Sequence, residues 1–417
     1  MIFKFYGGAR EVGRSSIFMR DERSIMMDFG VKLDGKNEYP IEVPKIDAFI
    51  LSHAHLDHSG YAPALYETSH APTFGTRPTL ELSTLLLEDS LSIARKEHFK
   101  PPFHRRQLNL FRNDFVPVNY NKAVTFGNYN ITMSDAGHIS GSAVTLIERQ
   151  RAKENRRVVY TGDFKLEPQT LHRGAEVVKS DVLITEATYA GREHPDRNKE
   201  IARLIDEVEE VLGRGGNALI PVFAVGRAQE MLAILYQNGL AGSTYVDGMA
   251  REATKIVARN PKFIDNASTL TKAIEEAEFV QARERPSVMK GPSIILTTAG
   301  MLQGGPVLNY IHKLNANSKI FITGYQAEDT NGRSLVENGH ISTEDGKVRI
   351  GTPVSVYDFS AHAGNSDLLK YVRESAPNTV ICVHSDEECA TAFVEEVKGE
   401  GFDAFAPEIG ETIKLND

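Results

Sequence analysis

The string LSHAHLDHSG at 51–60 sets three histidines and an aspartate within six residues, directly behind the apolar run Ala48–Leu51. In an extended stretch alternate side chains share a side, so His53 and His55 can reach one ion. Asp57 and His58 come where the chain turns into a helix and would point at a second position. Imidazole and carboxylate are donors for a borderline-to-hard divalent cation, and imidazole suits zinc. The plainer reading is a polar loop whose histidines cap a helix. Three more donors follow short strands: His138 in SDAGHISGSA, Asp163 in VVYTGDF and His384 in VICVHSD. A single histidine at a strand end is usually structural. Beside HAHLDH, these three supply the further ligands a two-metal site needs. A carboxylate such as Asp163 can bridge two ions about 3.5–4 Å apart.

The elements that must carry these residues are short. Ile2–Tyr6, Ser16–Met19, Ser24–Asp28 and Ala48–Leu51 read as strands, with Gly7-Gly8 and Asp34-Gly35 as turns. A short helix is expected from Ala62 to Tyr66 and a longer one from Leu80 to Lys96, whose apolar residues recur at helical spacing. Tyr129–Ser134, Ala143–Ile147, Val158–Tyr160 and Val182–Ile184 complete the strands of the first part. After about residue 190 helix and strand alternate. Glu200–Leu212 is helical and stops at Gly213. Three β-runs (218–227, 294–301 and 320–326) then end in glycine loops. Such alternation argues for a parallel sheet, whose ligands sit beyond the carboxyl ends of its strands. From about 352 the chain returns to β-rich runs, Val354–Phe359 and Thr379–Val383, around a helix at Ser366–Glu374. A second domain inserted into the first fits this order.

Length and charge narrow the function. The chain has 417 residues, 41% hydrophobic and 25% charged, with 47 Lys and Arg against 56 Asp and Glu and a net charge of −9. Such a chain does not coat nucleic acid by bulk charge; binding must use a local basic cleft. Two cysteines, Cys382 and Cys389, are too few for a disulfide framework. The expected setting is reducing and cytoplasmic. The polar N-terminus argues against a secretory signal, and no apolar run approaches the roughly 20 residues of a membrane span.

In combination these residues resemble the metallo-β-lactamase fold: HAHLDH at 53–58, Asp28 at the end of a strand, Gly137-His138, and TGD at 161–163. Further motifs resemble its β-CASP nuclease branch. They are Glu186 in ITEATYA, His362 in FSAHAG and His384 in VHSD, with GGAREVGRSS (7–16), PVFAVGRAQEML (221–232), TTAGMLQGG (297–305) and TGYQAED (323–329). The likeness covers nearly the whole chain. It is similar to archaeal relatives of the endonuclease subunit of the cleavage and polyadenylation specificity factor, in the short form without an RNA-binding KH extension. The implied fold class is α/β: a metallo-β-lactamase αββα sandwich (1–188 and 352–417) carrying an inserted parallel-sheet β-CASP domain (189–351).

Residue by residue, the resemblance implies one zinc at His53, His55 and His138 and another at Asp57, His58 and His384, with Asp163 shared. Asp28 would orient the ligand loop; its other reading is a strand-ending Asp bonded to a turn amide. The implied reaction is hydrolysis of single-stranded RNA by metal-activated water, leaving a 5′-phosphate and a 3′-hydroxyl. His362 would assist departure of O3′, with Glu186 holding its imidazole. Backbone amides at Gly226 and Gly304-Gly305, with Arg227 or Arg333, could receive phosphate, or these glycines just make tight turns. Pro306 offers no amide there. The basic stretch Arg95–Arg106 has two Phe residues that could stack on bases, whereas 149–157 reads as a solvated hairpin tip. A homodimer and other RNA-processing subunits are further expectations.

The favoured reading is a zinc-dependent endoribonuclease. Its rivals are a 5′→3′ exonuclease like ribonuclease J, whose relatives tend to carry Asp where Glu186 stands, and a catalytically weak scaffold subunit. DNA-directed relatives tend to carry Val in place of His384, and diiron relatives Glu in place of His55. A small-molecule hydrolase needs neither the inserted domain nor His362. One departure from the family pattern is Ser385, where Gly is usual; it could crowd the loop of His384 and weaken the second zinc position.

Overall fold

Alternation along the strands builds two faces. In Ser24–Met27, Ile25 and Met27 face one way and Met26 the other; in Arg156–Tyr160, Val158 and Tyr160 oppose Val159. The inward set of both joins Phe3, Phe5, Ile131, Ile147, Ile184 and Ile381 in one core between two sheets. The outward set meets helices. Val159, Leu183 and Val380 pack with Leu368, Tyr371, Val372 and Phe393. On the other outer face Met26, Phe49 and Leu51 pack with Leu65, Leu87, Leu108 and Phe111. Each fully buried aliphatic or aromatic side chain contributes about 1.5–3 kcal/mol, which is what holds four layers together. The result is the expected αββα sandwich.

The computed structural model describes residues 1–33, 37–150, 155–343 and 346–415. The expected turn Asp34-Gly35 and residues 151–154 of the expected hairpin tip lie outside them. The first sheet runs, in spatial order, Thr412–Lys414, Ile2–Gly7, Ser16–Arg20, Ser24–Met27, Ala48–Ile50, Thr73–Gly75 and Phe115–Pro117. The second runs Asp403–Phe405, Thr379–Val383, Val182–Glu186, Arg156–Tyr160, Ala143–Arg149, Tyr129–Asp135 and Val124–Phe126. Arg156–Tyr160, Val182–Glu186 and Thr379–Val383 are parallel neighbours. Tyr129–Asp135 shares their direction, because two antiparallel steps separate it from Arg156–Tyr160. The carboxyl ends of all four therefore lie along one edge of the sheet.

The long helix starts at Arg77, three residues before the expected Leu80. Thr76 caps it by accepting from the Thr79 amide, and Pro78 sits in the first turn where no amide is missed. The expected helix at 62–66 is a 3₁₀ segment, Ala62–Glu67.

Two compact units emerge, 1–168 with 172–193 and 361–417, and 169–171 with 194–360. The second is built on a six-stranded parallel sheet in the order Glu278–Phe279, Thr244–Asp247, Ser293–Thr297, Asn217–Pro221, Lys319–Ile322 and Val354–Val356. Val354–Val356 pairs in parallel with Lys319–Ile322, so the chain returns to the first unit at Ala361 rather than at 352. In the second unit the buried carboxylate of Asp247, 1% exposed, accepts from Arg285 Nε at 2.6 Å and Tyr310 Oη at 2.9 Å. No helix among the described residues is long and apolar enough to cross a membrane.

Candidate metal centre

Every candidate ligand sits just past a strand's carboxyl end. His53, His55, Asp57 and His58 follow Ala48–Ile50; His138 follows Tyr129–Asp135; Asp163 follows Arg156–Tyr160; His384 follows Thr379–Val383. These turns need unusual backbone. Gly137 and Gly162 take φ of +68° and +54°, and the non-glycine residues Asp28 and His384 take +54° and +52°. Gly30 is required for a different reason: a Cβ there would lie 1.7 Å from the Asp57 carbonyl oxygen, so only glycine lets the ligand loop close over it.

The side chains converge into two sets that share one carboxylate. His53, His55, His138 and Asp163 form one; Asp57, His58, Asp163 and His384 form the other, with the ligand atoms of each within 4.8 Å of one another. His53 Nε2 lies 3.5 Å from Asp163 Oδ2, and His58 Nε2 lies 3.2 Å from Asp163 Oδ1. On the second side His384 Nε2 is 3.6 Å from Asp57 Oδ2. All of these except His55 and Asp57 are buried.

Asp28 organises the floor. Its carboxylate, wholly buried, accepts from the Ser52 amide at 2.7 Å, Ser52 Oγ at 2.6 Å, Tyr160 Oη at 2.6 Å and His58 Nδ1 at 2.7 Å. Hydrogen bonds to a charged group are worth about 1.5–3 kcal/mol each, enough together to offset the several kcal/mol of burying the carboxylate. With its hydroxyl proton given to Asp28, Ser52 Oγ accepts from His53 Nδ1 at 3.0 Å. One aspartate thus directs Nδ1 of two histidines and turns both Nε2 atoms toward Asp163. On the far side Ser15 Oγ bonds His384 Nδ1 at 2.8 Å, and the Ala361 carbonyl accepts from His138 Nδ1 at 2.9 Å. Sequence reasoning missed Ser15, Ser52 and Tyr160. Ser52 had a local signal, adjacency to His53; Ser15 meets its partner across 369 residues.

The arrangement fits divalent cations on the chemistry of its donors. His58 Nε2 and Asp163 Oδ1 are buried with no hydrogen-bond partner, though they face each other. His55 Nδ1 lies 3.2 Å from His53 Nε2 and 3.1 Å from His138 Nε2. Three imidazole nitrogens converging this way present lone pairs to one point, which a cation resolves and a set of hydrogen bonds does not. The carboxylates also draw positive charge inward. Burial would lower His58, but Asp163, Asp57 and Asp28 outweigh it and hold the imidazole well above its ordinary value. Burial and the neighbouring histidines hold His53 and His138 well below theirs, as lone-pair donors require. Against burial, His58, His384, His362 and His53 hold Asp163 well below the carboxylate range.

Beside this pocket lies a second pair. Glu186, fully buried at the last position of its strand, accepts from the Phe164 amide at 2.8 Å, Thr188 Oγ1 and His362 Nδ1 at 2.9 Å. Lys165 Nζ donates to the His362 carbonyl at 3.2 Å, fixing that residue's backbone too. Burial pulls His362 down, but Glu186 and Asp163 outweigh it and push it up to about 9.

Asp28, Glu186, His362 and the seven candidate ligands are all in the first unit, within one contiguous cluster. Arg227 and Arg333 are in the second. Arg227 opens the helix Arg227–Gln237 behind Gly226, whose φ is +86°. Arg333 is half exposed and holds Glu337 at 2.6 Å along its own helix. Ser385 does not crowd His384: it is buried, its Oγ turns to the Asp386 carbonyl at 3.4 Å, and the left-handed turn is made by His384 itself.

Known proteins share this organisation. Residues 26–212 match the Beta-lactamase superfamily domain, 228–335 the Beta-Casp domain, and 347–407 the Zn-dependent metallo-hydrolase RNA specificity domain. The chain is 37% identical to the protein named Probable RNase MJ4 of Methanocaldococcus jannaschii, over 99% of each. It is 33% identical to RNase aCSPSF2 of Saccharolobus solfataricus, over 99% of this chain and 85% of that one. It is also 33% identical to the transcription termination factor FttA of Methanocaldococcus jannaschii, over 94% of this chain and 68% of the other. A crystal structure of a protein of unknown function from Enterococcus faecalis V583 superposes with a TM-score of 0.62 at 14% identity, over 99% of both chains, a likeness of fold alone.

Proposed function

Because the chain belongs to the β-CASP family of metal-dependent ribonucleases, we propose that it is a zinc-dependent endonuclease that cuts single-stranded RNA internally. The observation that carries this reading is the pair of ligand sets meeting at Asp163 with Glu186 and His362 alongside. His53, His55 and His138 would hold one zinc ion, and Asp57, His58 and His384 the other, with Asp163 common to both. When bound, the ions supply a nucleophilic water at neutral pH and positive charge against the scissile phosphate.

The remaining work falls to the chain's own side chains. Asp28, directly and through Ser52, keeps His58 and His53 in the ligating tautomer. His362 gives its Nδ1 proton to Glu186 in a hydrogen bond, which directs Nε2 as the atom that delivers a proton to the departing O3′. In-line displacement then leaves a 5′-phosphate and a 3′-hydroxyl. Glu186 cannot itself be the acid: three donors already claim its oxygens. Buried Cys382 takes no part, since burial pushes its thiol up to about 12.

The test is cleavage of a circular single-stranded RNA by zinc-loaded protein, beside His362→Ala. Linearisation by the wild type alone supports internal cutting with His362 in the chemistry. Equal cleavage by both removes His362 from it. A circle that survives while a linear 5′-monophosphate RNA is degraded means exonucleolytic attack. Survival of both RNAs leaves the scaffold reading.

A further inference from the structure

At the far end of the helix Arg77–Lys96 a groove of 270 Å³ opens among Leu91, Arg95, Phe99, Phe103 and Arg105. The stretch Arg95–Arg106 carries five Lys and Arg against one Glu, a surplus of four in a chain whose net charge is −9. Arg105 shares Glu88 with Arg112, at 3.7 and 3.4 Å. Arg95, Lys96, Lys100 and Arg106 are exposed, and none makes a salt bridge with any described residue. Asp89 faces Lys96 and Glu88 holds Arg105, which leaves a surplus of like charge on one short segment that a bound anion would relieve.

The aromatic residues divide. Phe103 is 2% exposed and belongs to the core, while Phe99 is 42% exposed at the rim. Its position is built: the Phe99 amide donates to the Ala94 carbonyl at 3.1 Å, and His98 takes a left-handed φ of +56° to turn the chain there. An exposed ring that shares the groove with Arg95 and Arg105, on a segment whose other cations make no salt bridge with any described residue, matches the mixed chemistry of single-stranded nucleic acid, a stacking face beside a phosphate track. An acidic peptide would use the cations and leave the ring idle.

The groove's distance from the metal centre follows from the helix. At its N-terminus Thr76 Oγ1 donates to the Gly141 carbonyl at 2.8 Å, in the loop that carries His138. Twenty residues at 1.5 Å each put Lys96 about 30 Å away. We propose that this groove is an RNA-binding exosite, which holds a strand through Phe99 and the cations of Arg95–Arg106 while another part of the same strand lies at the metal centre. The proposal rests on RNA being the substrate. An extended strand spans about 6 Å per nucleotide, roughly twice the axial spacing in a duplex, so bridging needs about five nucleotides or more.

The experiment compares kcat and KM on self-quenched RNAs of sixteen and four nucleotides, using zinc-loaded wild type, the quadruple variant R95Q/K96Q/K100Q/R106Q, and Phe99→Ala. The quadruple variant is expected to raise KM for the longer RNA about ten-fold, with kcat unchanged and the four-nucleotide substrate unaffected. The salt slope of log kcat/KM on the longer RNA should fall by about 3, at roughly 0.7 per lost phosphate contact. Phe99→Ala alone should raise the longer RNA's KM about five-fold. An unchanged KM on sixteen nucleotides overturns the exosite. So does an equal loss on both lengths, which would put the residues' effect at the metal centre or the fold. A full effect of the charges with none from Phe99, or inhibition by polyglutamate as strong as by uncut RNA, overturns it in favour of a bare polyanion patch. If wild type cuts neither RNA, the ribonuclease reading fails first, and the wild-type lanes alone reveal that.

Discussion

Replacing Asp28 by Asn keeps shape and removes charge, and the consequence can be worked through bond by bond. Four donors converge on the carboxylate: the Ser52 amide on Oδ1, and Ser52 Oγ, His58 Nδ1 and Tyr160 Oη on Oδ2. An amide side chain offers one oxygen. Placed at the Oδ2 position it keeps three partners, but its NH2 then meets the Ser52 amide head-on, leaving a buried donor unpaired at about 1–3 kcal/mol. Turned the other way it opposes three donors at once. The surviving bonds also lose their charge assistance, so His58 and His53 are held less firmly with Nδ1 protonated. Loss of a partner that orients a ligating histidine costs about 10–100-fold in metal affinity. Because Asp28 reaches one histidine of each ligand set, both positions should weaken. Ser52→Ala, which cuts only the branch to His53, should weaken one. Zinc titration against a competing chelator, with metal content by mass spectrometry after dialysis, reads this directly. Asp28→Asn protein that keeps both ions at wild-type affinity would refute the relay, and so would Ser52→Ala protein that loses both equally.

Further outcomes follow from other parts of the structure. Glu186 and Asp163 outweigh burial to push His362 up to about 9, so the imidazolium's contribution is complete below about 6.5 and is lost as pH rises through 9. Glu186→Gln should therefore pull the alkaline limb of the pH–rate profile toward neutrality, with a larger loss at pH 8.5 than at 6.5; an unmoved limb would contradict it. Gly30→Ala, which drives a methyl into the Asp57 carbonyl, should empty the Asp57–His58–His384 position before the other, as measured by zinc stoichiometry. Ser385→Gly should change zinc affinity less than three-fold, since its hydroxyl faces away from His384. In the second unit, Arg285→Met strands the buried Asp247 carboxylate and should cost about 3–5 kcal/mol, seen as earlier protease cleavage within 194–360 on a urea gradient.

The candidate ligands were legible because each is announced locally. A buried strand that gives way to a loop holding His or Asp leaves a polar donor at a sheet edge, and HAHLDH sets four such donors behind the one strand Ala48–Ile50. The sandwich was legible for the same reason, since its strands write their alternation into Ile25-Met26-Met27 and Val158-Val159-Tyr160. What supports the ligands was not. Ser15 and Tyr160 reach their partners only after both sheets have packed, and nothing in GRSS or VVYTGD names that partner. Edge strands were similarly silent: Val354–Val356 is half exposed, and only its pairing with Lys319–Ile322 assigns it to the second unit. The helix Arg105–Asn113 was hidden by its cations, because Leu108 and Phe111 give too short an apolar stripe to stand out from a charge run.

The order in which the donors occur along the chain has a bearing on its own synthesis. His53 and His384 are separated by 331 residues, and all of the second unit is translated between them. At roughly 5–20 residues per second, a ribosome takes about 17–66 seconds to go from one to the other. Through that interval the strand Val182–Glu186 lacks its neighbour Thr379–Val383, and Ile2–Gly7 lacks Thr412–Lys414. A nascent chain therefore already carries six of the seven candidate ligands, with Glu186 and His362, before His384 is added. Of the two donor sets, the one that ends at His384 stays a member short until nearly the whole chain has been made.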